Sequence, residues 1–135
     1  MDSITTKDES GKNIVNKINF QQLAKEFSDF FFFCWKNRKV EITNVLEDYT
    51  RLKFMNNIYK GKEEIATVLM TMAASGIDFE INDINAMESG SRRIDVMING
   101  SIINSGVKHR LSVYFLITYQ NEAWKLQNSI LNIFI

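Results

Sequence analysis

Few side chains in this sequence could do acid, base or metal chemistry, and they lie far apart. His109 is the single histidine and Cys34 the single cysteine, so no histidine and cysteine set has the close spacing that zinc requires. His109 stands between Lys108 and Arg110, a cationic setting that suits a solvated strand end better than a general base. We therefore predict no metal site and no cofactor.

The other candidates for catalysis have simpler structural interpretations. Asp29 and Asp95 each alternate with apolar neighbours and are expected to face outward. Cys34 lies on an apolar stripe and is interpreted as a small buried hydrophobe rather than a nucleophile. Gly61-Lys62 lacks the rest of a phosphate-binding loop. Because no acid and base are positioned together, the sequence predicts a protein that is not an enzyme and has no catalytic residue.

The charge balance bears on nucleic-acid partners. Lys plus Arg and Asp plus Glu are each 16, so no general positive field attracts nucleic acid or acidic lipid. Arg92-Arg93 and residues 108–110 could meet across neighbouring strands as a basic patch. RNA recognition also needs aromatic side chains between the charges, and only Tyr114 is near. We interpret both clusters as solvated strand ends and predict no direct nucleic-acid binding.

Two parts of the chain differ in composition. Residues 1–17 are polar and lack a sustained apolar period, which predicts a mobile tail and no signal peptide or membrane association. Residues 18–135 are expected to form one domain, since the length is close to the commonest domain size and 45% of all residues are apolar. A lone cysteine allows no internal disulfide and favours a reducing compartment.

Three helices are expected before the main strands. Apolar residues at three- and four-residue steps predict a helix from Phe20 to Cys34 whose C-terminal half is apolar on nearly every side. A short second helix is expected from Val40 to Leu46. Gly61 opens the third helix, which begins with two glutamates that suit the dipole of its first turn.

Alternating apolar and polar residues predict the strands. A hairpin is expected to turn at Asn56-Asn57, and a second turn at Gln120-Asn121 precedes the last strand. The predicted inward positions of the main strands are Ile77, Phe79, Ile81, Ile94, Val96, Ile98, Leu111, Val113, Phe115, Ile117, Trp124, Leu126, Asn128 and Ile130. This order of elements predicts an α+β fold with helices on one face of a curved antiparallel sheet.

Several short segments carry more information by their order and spacing than any one of them does alone. In the first half these are Gln22-Leu23-Ala24, Phe27, Phe30-Phe31, Leu52-Lys53-Phe54, Gly61, Ile65 and Leu69. In the second half they are Val96-Met97-Ile98-Asn99-Gly100, Phe115-Leu116-Ile117, Ala123-Trp124-Lys125-Leu126 and Asn128-Ser129-Ile130-Leu131. Over residues 18–135 the chain resembles the nuclear transport factor 2 family. The resemblance implies a cone-shaped domain in which three N-terminal helices pack on a curved antiparallel sheet.

The resemblance also implies a hydrophobic cavity at one end of the cone. Family members that bind Ran use its mouth to hold an aromatic side chain of Ran in the GDP state. By position, the mouth would be lined by Phe54, Met72, Ile77, Ile130 and Leu131. The alternative is that these five apolar residues simply fill the core.

Two transport branches of the family are open. One is a homodimer that binds Ran-GDP and the phenylalanine-glycine repeats of nucleoporins, and the other is the small subunit of a heterodimeric mRNA-export receptor. Met55, Asn104 and Ser105 stand where Ran-binding members carry acids, and Asn132 stands where both branches carry an arginine. We predict that Ran-GDP binding is absent or much weaker than is typical. Either branch implies a non-catalytic adaptor in the cytoplasm, the nucleus and the nuclear pore.

The open face of the sheet is the predicted protein interface, for a homodimer or for a related subunit. On the side opposite the core, the strands are expected to present Met97, Tyr114, Leu116, Gln127 and Ser129. Large uncharged side chains of this kind are typical of interface cores. The alternative from another functional class is a small-molecule binder or a lyase- or isomerase-type enzyme that uses the cone cavity.

Overall fold

A computed structural model describes residues 4–7, 13–16 and 19–135 of the chain. Its helices are α1 (Phe20–Lys36), a 3₁₀ helix (Val40–Val45) and α2 (Lys62–Met72), and its strands are β1 (Ile4–Lys7), β2 (Asn13–Asn16), β3 (Arg51–Phe54), β4 (Asn57–Lys60), β5 (Ile77–Gly90), β6 (Arg93–Asn104), β7 (Val107–Gln120) and β8 (Ala123–Phe134). None of these helices is long and apolar enough to cross a membrane.

Strands β1 and β2 lie in the segment that the sequence predicts to be a mobile tail. They pair antiparallel, with Ile4 opposite Asn16. The rest of residues 1–17 lies outside the described residues, so mobility of this segment stays a prediction.

Helix α1 supplies most of the aromatic core. The side chain of Asn19 accepts a hydrogen bond from the Gln22 amide at 3.0 Å and so caps the first turn. Phe31 and Trp35 are fully buried, and the ring of Phe31 packs edge-on against Phe115 of β7 at 4.8 Å. The predicted helix is therefore confirmed, and the sheet covers much of its apolar surface, although Phe33 is 55% exposed.

The remaining helices also match their predicted places. The second is a six-residue 3₁₀ helix that ends at Val45, with Ile42 buried. The third begins after Gly61, whose φ of +89° belongs to the left-handed region that glycine adopts without strain. Its first turn carries Glu63 and Glu64, which complement the helix dipole.

Strands β3 to β8 form one six-stranded, curved and unclosed sheet in the order β4-β3-β8-β7-β6-β5. The predicted α+β fold is confirmed. The long strands pair antiparallel as expected, but β3 pairs with β8 in parallel, so the sheet is mixed. A parallel pair needs a long crossover connection, and here β4, α2 and β5 to β7 separate β3 from β8 along the chain.

Two hairpin turns each lie one residue away from the predicted position. The β3–β4 hairpin turns at Met55 and Asn56, with Met55 at φ +56°, and Asn57 already belongs to β4. The β7–β8 hairpin turns at Asn121 and Glu122, both with positive φ. Two adjacent residues with positive φ suit the right-handed twist of the flanking strands.

A bulge in β8 decides which side chains face the helices. Leu116 of β7 pairs with Asn128, whereas Ile117 pairs with Leu126, so Gln127 is an extra residue in β8. One extra residue reverses the alternation beyond it. Leu126, Leu131 and Ser129 are therefore buried on the helix side.

Candidate protein-docking face

The side of the six-stranded sheet that points away from α1 is the outer face. Its central row consists of Met97 on β6, Tyr114 on β7 and Ile130 on β8, which lie side by side in the register. The exposed fractions of Met97 and Ile130 are 46% and 40%. No helix of the described chain covers this row, so it is an apolar strip open to a partner.

Tyr114 lies at the centre of this row and makes a side-chain hydrogen bond. Its hydroxyl donates a hydrogen bond to the Asp95 carboxylate. Burial, and then the hydrogen bond and the charge of Asp95, raise the pKa of Tyr114 to about 12. The phenol therefore stays neutral at physiological pH and presents an uncharged aromatic ring in the row.

Leu116 belongs to the same face but is already only 5% exposed within the chain. It is the β7 neighbour of Asp95 and of Asn128. The predicted placement of Leu116 on the outer face is right, although little of its surface remains for a partner.

The prediction is wrong for Ser129 and Ile130, because the bulge at Gln127 reverses their facing. Ser129 is 2% exposed and pairs with Phe115 on the inner face. Ile130, which the sequence assigns to the cavity mouth, lies on the outer face beside Tyr114. Gln127 itself is the bulged residue and is half-buried.

Phe134 on β8 is an outer-face residue that the sequence analysis missed. It pairs with Arg110 of β7, whose guanidinium lies 4.3 Å from the centre of its ring. The signal was available: the consecutive apolar residues Ile130 and Leu131 break the alternation on which the inward assignment of β8 relied.

The four other residues predicted for the cavity mouth lie on the core side. Leu131 and Ile77 are buried, and Phe54 and Met72 are partly buried against the same cluster. Phe54 and Leu131 are direct neighbours across the β3–β8 pair. The structure brings these residues into the core, and their use as a binding cavity stays a prediction.

Three buried polar atoms of the core have no hydrogen-bond partner among the described residues. They are the Ser28 hydroxyl, the indole nitrogen of Trp35 and the Ser129 hydroxyl. A buried polar group without a partner destabilises a fold by about 1–3 kcal/mol, so each is a place where water or a ligand atom would be stabilising.

The opposite edges of the outer face carry opposite charges. On β3 and β4 the outward side chains include Arg51, Lys53 and Lys60. On β5 they include the acids Asp78, Glu80 and Asp83. Two of these acids have a cation nearby, since Asp78 lies 2.9 Å from Lys36 and Glu80 lies 2.7 Å from Lys108.

Asp83 differs from its two acidic neighbours. Its Oδ1 accepts hydrogen bonds from the amides of Asn85 and Asn99, each at 3.1 Å. These neutral donors orient the carboxylate on the outer face without cancelling its charge.

Asp29, Cys34 and Asp95 have the surface or core positions that the sequence suggests, whereas His109 is half-buried opposite Ile102. Asp29 is exposed and pairs with Lys25 at 2.6 Å one helical turn away. Cys34 is buried, and burial raises the pKa of its thiol. Asp95, expected to face outward, lies on the outer face as the acceptor for Tyr114.

The two basic clusters do not meet. Arg93 pairs with Thr118, and Arg110 pairs with Ser101 at the other end of β6. Within residues 4–7, 13–16 and 19–135, no His, Cys, Asp and Glu cluster could hold a metal ion.

Comparison with known proteins identifies the family. The Nuclear transport factor 2 (NTF2) domain profile matches residues 23–133. The chain belongs to the NTF2 domain family. Among solved structures, nuclear transport factor 2 (Ntf2) from Cryptosporidium parvum superposes with a TM-score of 0.77 at 15% identity, over 84% of this chain and 94% of that one. At this identity the similarity shows the fold alone.

Other NTF2-like structures belong to proteins of different kinds. Yeast Bre5, a Ubp3-associated protein, has a TM-score of 0.76 at 14% identity, over 87% of this chain and 98% of that one. A dehydratase assigned to the NTF2-like family from Streptomyces avermitilis has a TM-score of 0.73 at 13% identity, over 85% and 96%. The NTF2-like fold is therefore used by non-enzymes and by enzyme-like proteins.

A curated relative matches only part of the chain. Endoribonuclease YbeY of Buchnera aphidicola subsp. Cinara cedri (strain Cc) is 32% identical over 83 residues, which is 55% of this chain and 53% of the relative. The chain thus spans about half the length of this relative.

Proposed function

We propose that this NTF2-domain protein is a non-catalytic adaptor in nucleocytoplasmic transport, acting in the cytoplasm, the nucleus and the nuclear pore. The observation that carries the proposal is the uncovered row of Met97, Tyr114 and Ile130 on the outer face of the sheet. An exposed apolar strip with polar neighbours is typical of a protein interface. Family membership and the fold shared with Ntf2 favour transport as the setting.

A protein partner suits this fold. Bre5 is found in complex with the deubiquitinase Ubp3, so a domain of this shape can serve as a docking subunit. For this chain the proposed partners are a second NTF2-like subunit and the phenylalanine-glycine repeats of nucleoporins. Import as a homodimer and mRNA export as the small subunit of a heterodimer are the two settings that fit.

Ran-GDP binding is proposed to be absent or weak. Met55 lies in the β3–β4 turn with 44% of its surface exposed, and Ser105 lies in the β6–β7 turn. The amide oxygen of Asn104 is within hydrogen-bond distance of the Ser75 and Ser105 hydroxyls. Neutral groups at these positions cannot replace a carboxylate that pairs with a lysine.

The chemistry of the interior favours a non-catalytic role. The buried polar side chains of the described chain are Ser28, Thr50, Thr118 and Ser129. Thr50 has a structural task, since its hydroxyl donates to the Leu126 carbonyl at 2.6 Å and accepts from the Glu47 amide at 2.8 Å. Hydroxyl groups without an adjacent base are poor acids and bases at neutral pH.

The proposal is tested by adding the purified, fluorescently labelled protein to permeabilised cells and to immobilised phenylalanine-glycine repeat fragments. We expect accumulation at the nuclear rim and binding to the repeats, both reduced by Tyr114→Glu. Thr67→Glu adds the same charge on the exposed side of α2 and serves as the control. Absence of both rim accumulation and repeat binding for the unmodified protein rejects the transport role.

A small-molecule binder is the second candidate, because Ser28, Trp35 and Ser129 leave polar atoms unpaired in the core. The dehydratase of the NTF2-like family shows that this fold also occurs in enzyme-like proteins. Native mass spectrometry of the purified protein separates the candidates: a stoichiometric small molecule that Ser129→Ala releases would favour this alternative.

A further inference from the structure

The two edges of the six-stranded sheet differ in how their backbone groups are satisfied. β5 is the edge strand on one side and β4 on the other. At β5, the side-chain amide of Gln21 on α1 donates to the Ile84 carbonyl and accepts from the Ala86 amide at 3.1 Å. Gln21 thus satisfies outward backbone groups on both sides of Asn85, as a neighbouring strand would.

The edge of β4 is open within the part of the chain that the structure describes. The Gly61 amide donates to the Thr50 carbonyl at 2.9 Å, so Gly61 and Tyr59 direct their backbone groups towards β3. Ile58 and Lys60 therefore direct their N–H and C=O groups away from β3, and no described residue bonds to these groups. Unpaired groups of this kind are a template on which another chain can pair.

A groove lies between the open edge of β4 and helix α2. Its volume is about 440 Å³, and its lining residues are Tyr59, Glu63, Glu64, Thr67, Val68 and Thr71. Tyr59 and Val68 are half-buried and supply apolar surface. Glu63 and Glu64 are exposed, and neither forms an ion pair with another described residue. The groove therefore suits apolar and basic side chains.

The opposite side of the same edge is basic. Lys53 and Lys60 are exposed on the outer face, and Lys53 lies opposite Ile58 in the β3–β4 register. Successive side chains of a strand point to opposite faces. A strand added beside β4 would direct alternate side chains towards these lysines and the others into the groove. Since opposite charges on neighbouring strands stabilise their pairing, the edge favours acids on the outer side of the added strand.

We propose that the β4 edge binds an extended peptide segment of a partner protein by strand addition, through the N–H and C=O groups of Ile58 and Lys60. The segment alternates acids, which lie beside Lys53 and Lys60, with apolar or basic residues, which enter the groove against Tyr59 and Val68. The site is separate from the apolar row of the outer face. The proposal goes beyond the transport role, and no part of it depends on that role.

Hydrogen exchange measured by NMR tests the pairing. The probe is the capped heptapeptide Lys-Glu-Val-Glu-Val-Glu-Lys, which has the same side-chain order in both directions and so suits parallel or antiparallel addition. At saturating peptide, exchange of the Ile58 and Lys60 amides is expected to slow at least about tenfold, because both become hydrogen-bonded. The Tyr59 amide already faces β3 and should change less. Peptide binding without this protection overturns the proposal.

The protein alone provides the reference state. We expect the Ile58 and Lys60 amides to exchange rapidly when no peptide is present. Protection of both amides in the protein alone would mean that the chain's own N-terminal segment or a second copy already covers the edge. That result overturns the proposed occupant.

A methylated peptide separates backbone pairing from side-chain attraction. The same heptapeptide with a methyl group on every amide nitrogen keeps its charges and side chains but has no backbone donor. Fluorescence anisotropy of the labelled peptides is expected to show a dissociation constant at least about tenfold higher for the methylated form. Equal binding of the two peptides overturns strand addition.

Two substitutions at one position test the edge of the protein. Ile58→Pro removes an outward N–H, and proline is tolerated where a strand's N–H faces solvent. Ile58→Thr changes the same side chain and keeps the N–H. We expect binding of the heptapeptide to weaken at least about tenfold for Ile58→Pro and to stay within about twofold for Ile58→Thr. Equal binding by the two variants, both with the native circular dichroism spectrum, overturns the proposal.

A charge substitution serves where Ile58→Pro loses the native circular dichroism spectrum. Lys60→Glu places an acid beside the glutamates of the heptapeptide and is expected to raise the dissociation constant at least about threefold. Lys39→Glu makes the same change at an exposed position after α1 and should leave binding unchanged. Equal weakening by both variants, or no weakening by Lys60→Glu, overturns the proposed arrangement of charges.

Discussion

Strands β7 and β8 carry large apolar side chains on both faces, but the outer face is covered only in part, since Leu116 is 5% exposed there and Ile130 is 40% exposed. On the inner face Val113, Phe115 and Ile117 are fully buried, and Phe27 and Phe31 of α1 pack against Phe115. On the outer face Tyr114 and Ile130 lie in the open row. A two-layer domain needs one apolar sheet face to fold, so the second face is free to serve association.

The largest effect is expected on the inner face. Phe31→Ala removes a fully buried ring that contacts Phe115 and Trp35 and should reduce the free energy of unfolding by about 3–5 kcal/mol. Urea denaturation followed by circular dichroism measures this. A change below about 1 kcal/mol would mean that the inner face is not the folding core.

A smaller effect is expected at Gly100, where β5 pairs with β6 beside a bulge. A Cβ at Gly100 would lie 2.2 Å from the Glu80 carbonyl oxygen, so Gly100→Ala must displace backbone and should destabilise by about 1–3 kcal/mol. The neighbouring Ser101→Ala, on the outer face, should change stability by less than about 0.5 kcal/mol. Thermal denaturation of both variants compares them directly, and equal stability would contradict the close approach of β5 to Gly100.

The free energy of unfolding also depends on pH through Tyr114 on the outer face. The pKa of Tyr114 is raised to about 12, above the ordinary tyrosine value of about 10. Its stabilisation is therefore complete below about pH 10 and is lost as pH rises towards 12. Because solvent screens the partly exposed phenol, we expect the unmodified protein to lose only about 1–2 kcal/mol more than Tyr114→Phe over this interval. Parallel pH profiles in the denaturation of both proteins would argue against the raised pKa of Tyr114.

Much of the fold follows from sequence periodicity. Phe27, Phe31 and Cys34 recur at helical steps, and Ile94, Val96 and Ile98 alternate, because each set faces one core. Local patterns specify such elements well. The parallel pairing of β3 with β8 joins segments that are far apart in the chain, as in Lys53 opposite Ile130, and no local pattern encodes it.

The sequence predicts the candidate site less completely than the fold, because β8 contains one inserted residue, Gln127. Alternation assigns Ile130 inward and Ser129 outward only if β8 has no insertion. The bulge at Gln127 reverses both. The consecutive apolar residues Ile130 and Leu131 indicate a break in the alternation, but they do not show which residue of β8 is inserted. Met97, Tyr114 and Leu116 lie on the outer face as the alternation of β6 and β7 predicts.

The most direct test of the docking role of the outer face compares Ile130→Glu with Leu131→Glu, two substitutions at adjacent positions of β8. Ile130 is 40% exposed on the outer face, whereas Leu131 is fully buried in the core. Ile130→Glu should retain the native circular dichroism spectrum and sediment as a monomer, because it places a charge in the docking row only. Leu131→Glu should fail to fold, since it buries an unpaired carboxylate.

Both variants are measured at the same concentration by circular dichroism and sedimentation velocity, beside the unmodified protein. We predict a folded monomer for Ile130→Glu, an unfolded chain for Leu131→Glu and a folded dimer for the unmodified protein. Unfolding of Ile130→Glu with a folded Leu131→Glu would contradict the facing of β8, and an intact dimer of Ile130→Glu would contradict the docking role of the outer face.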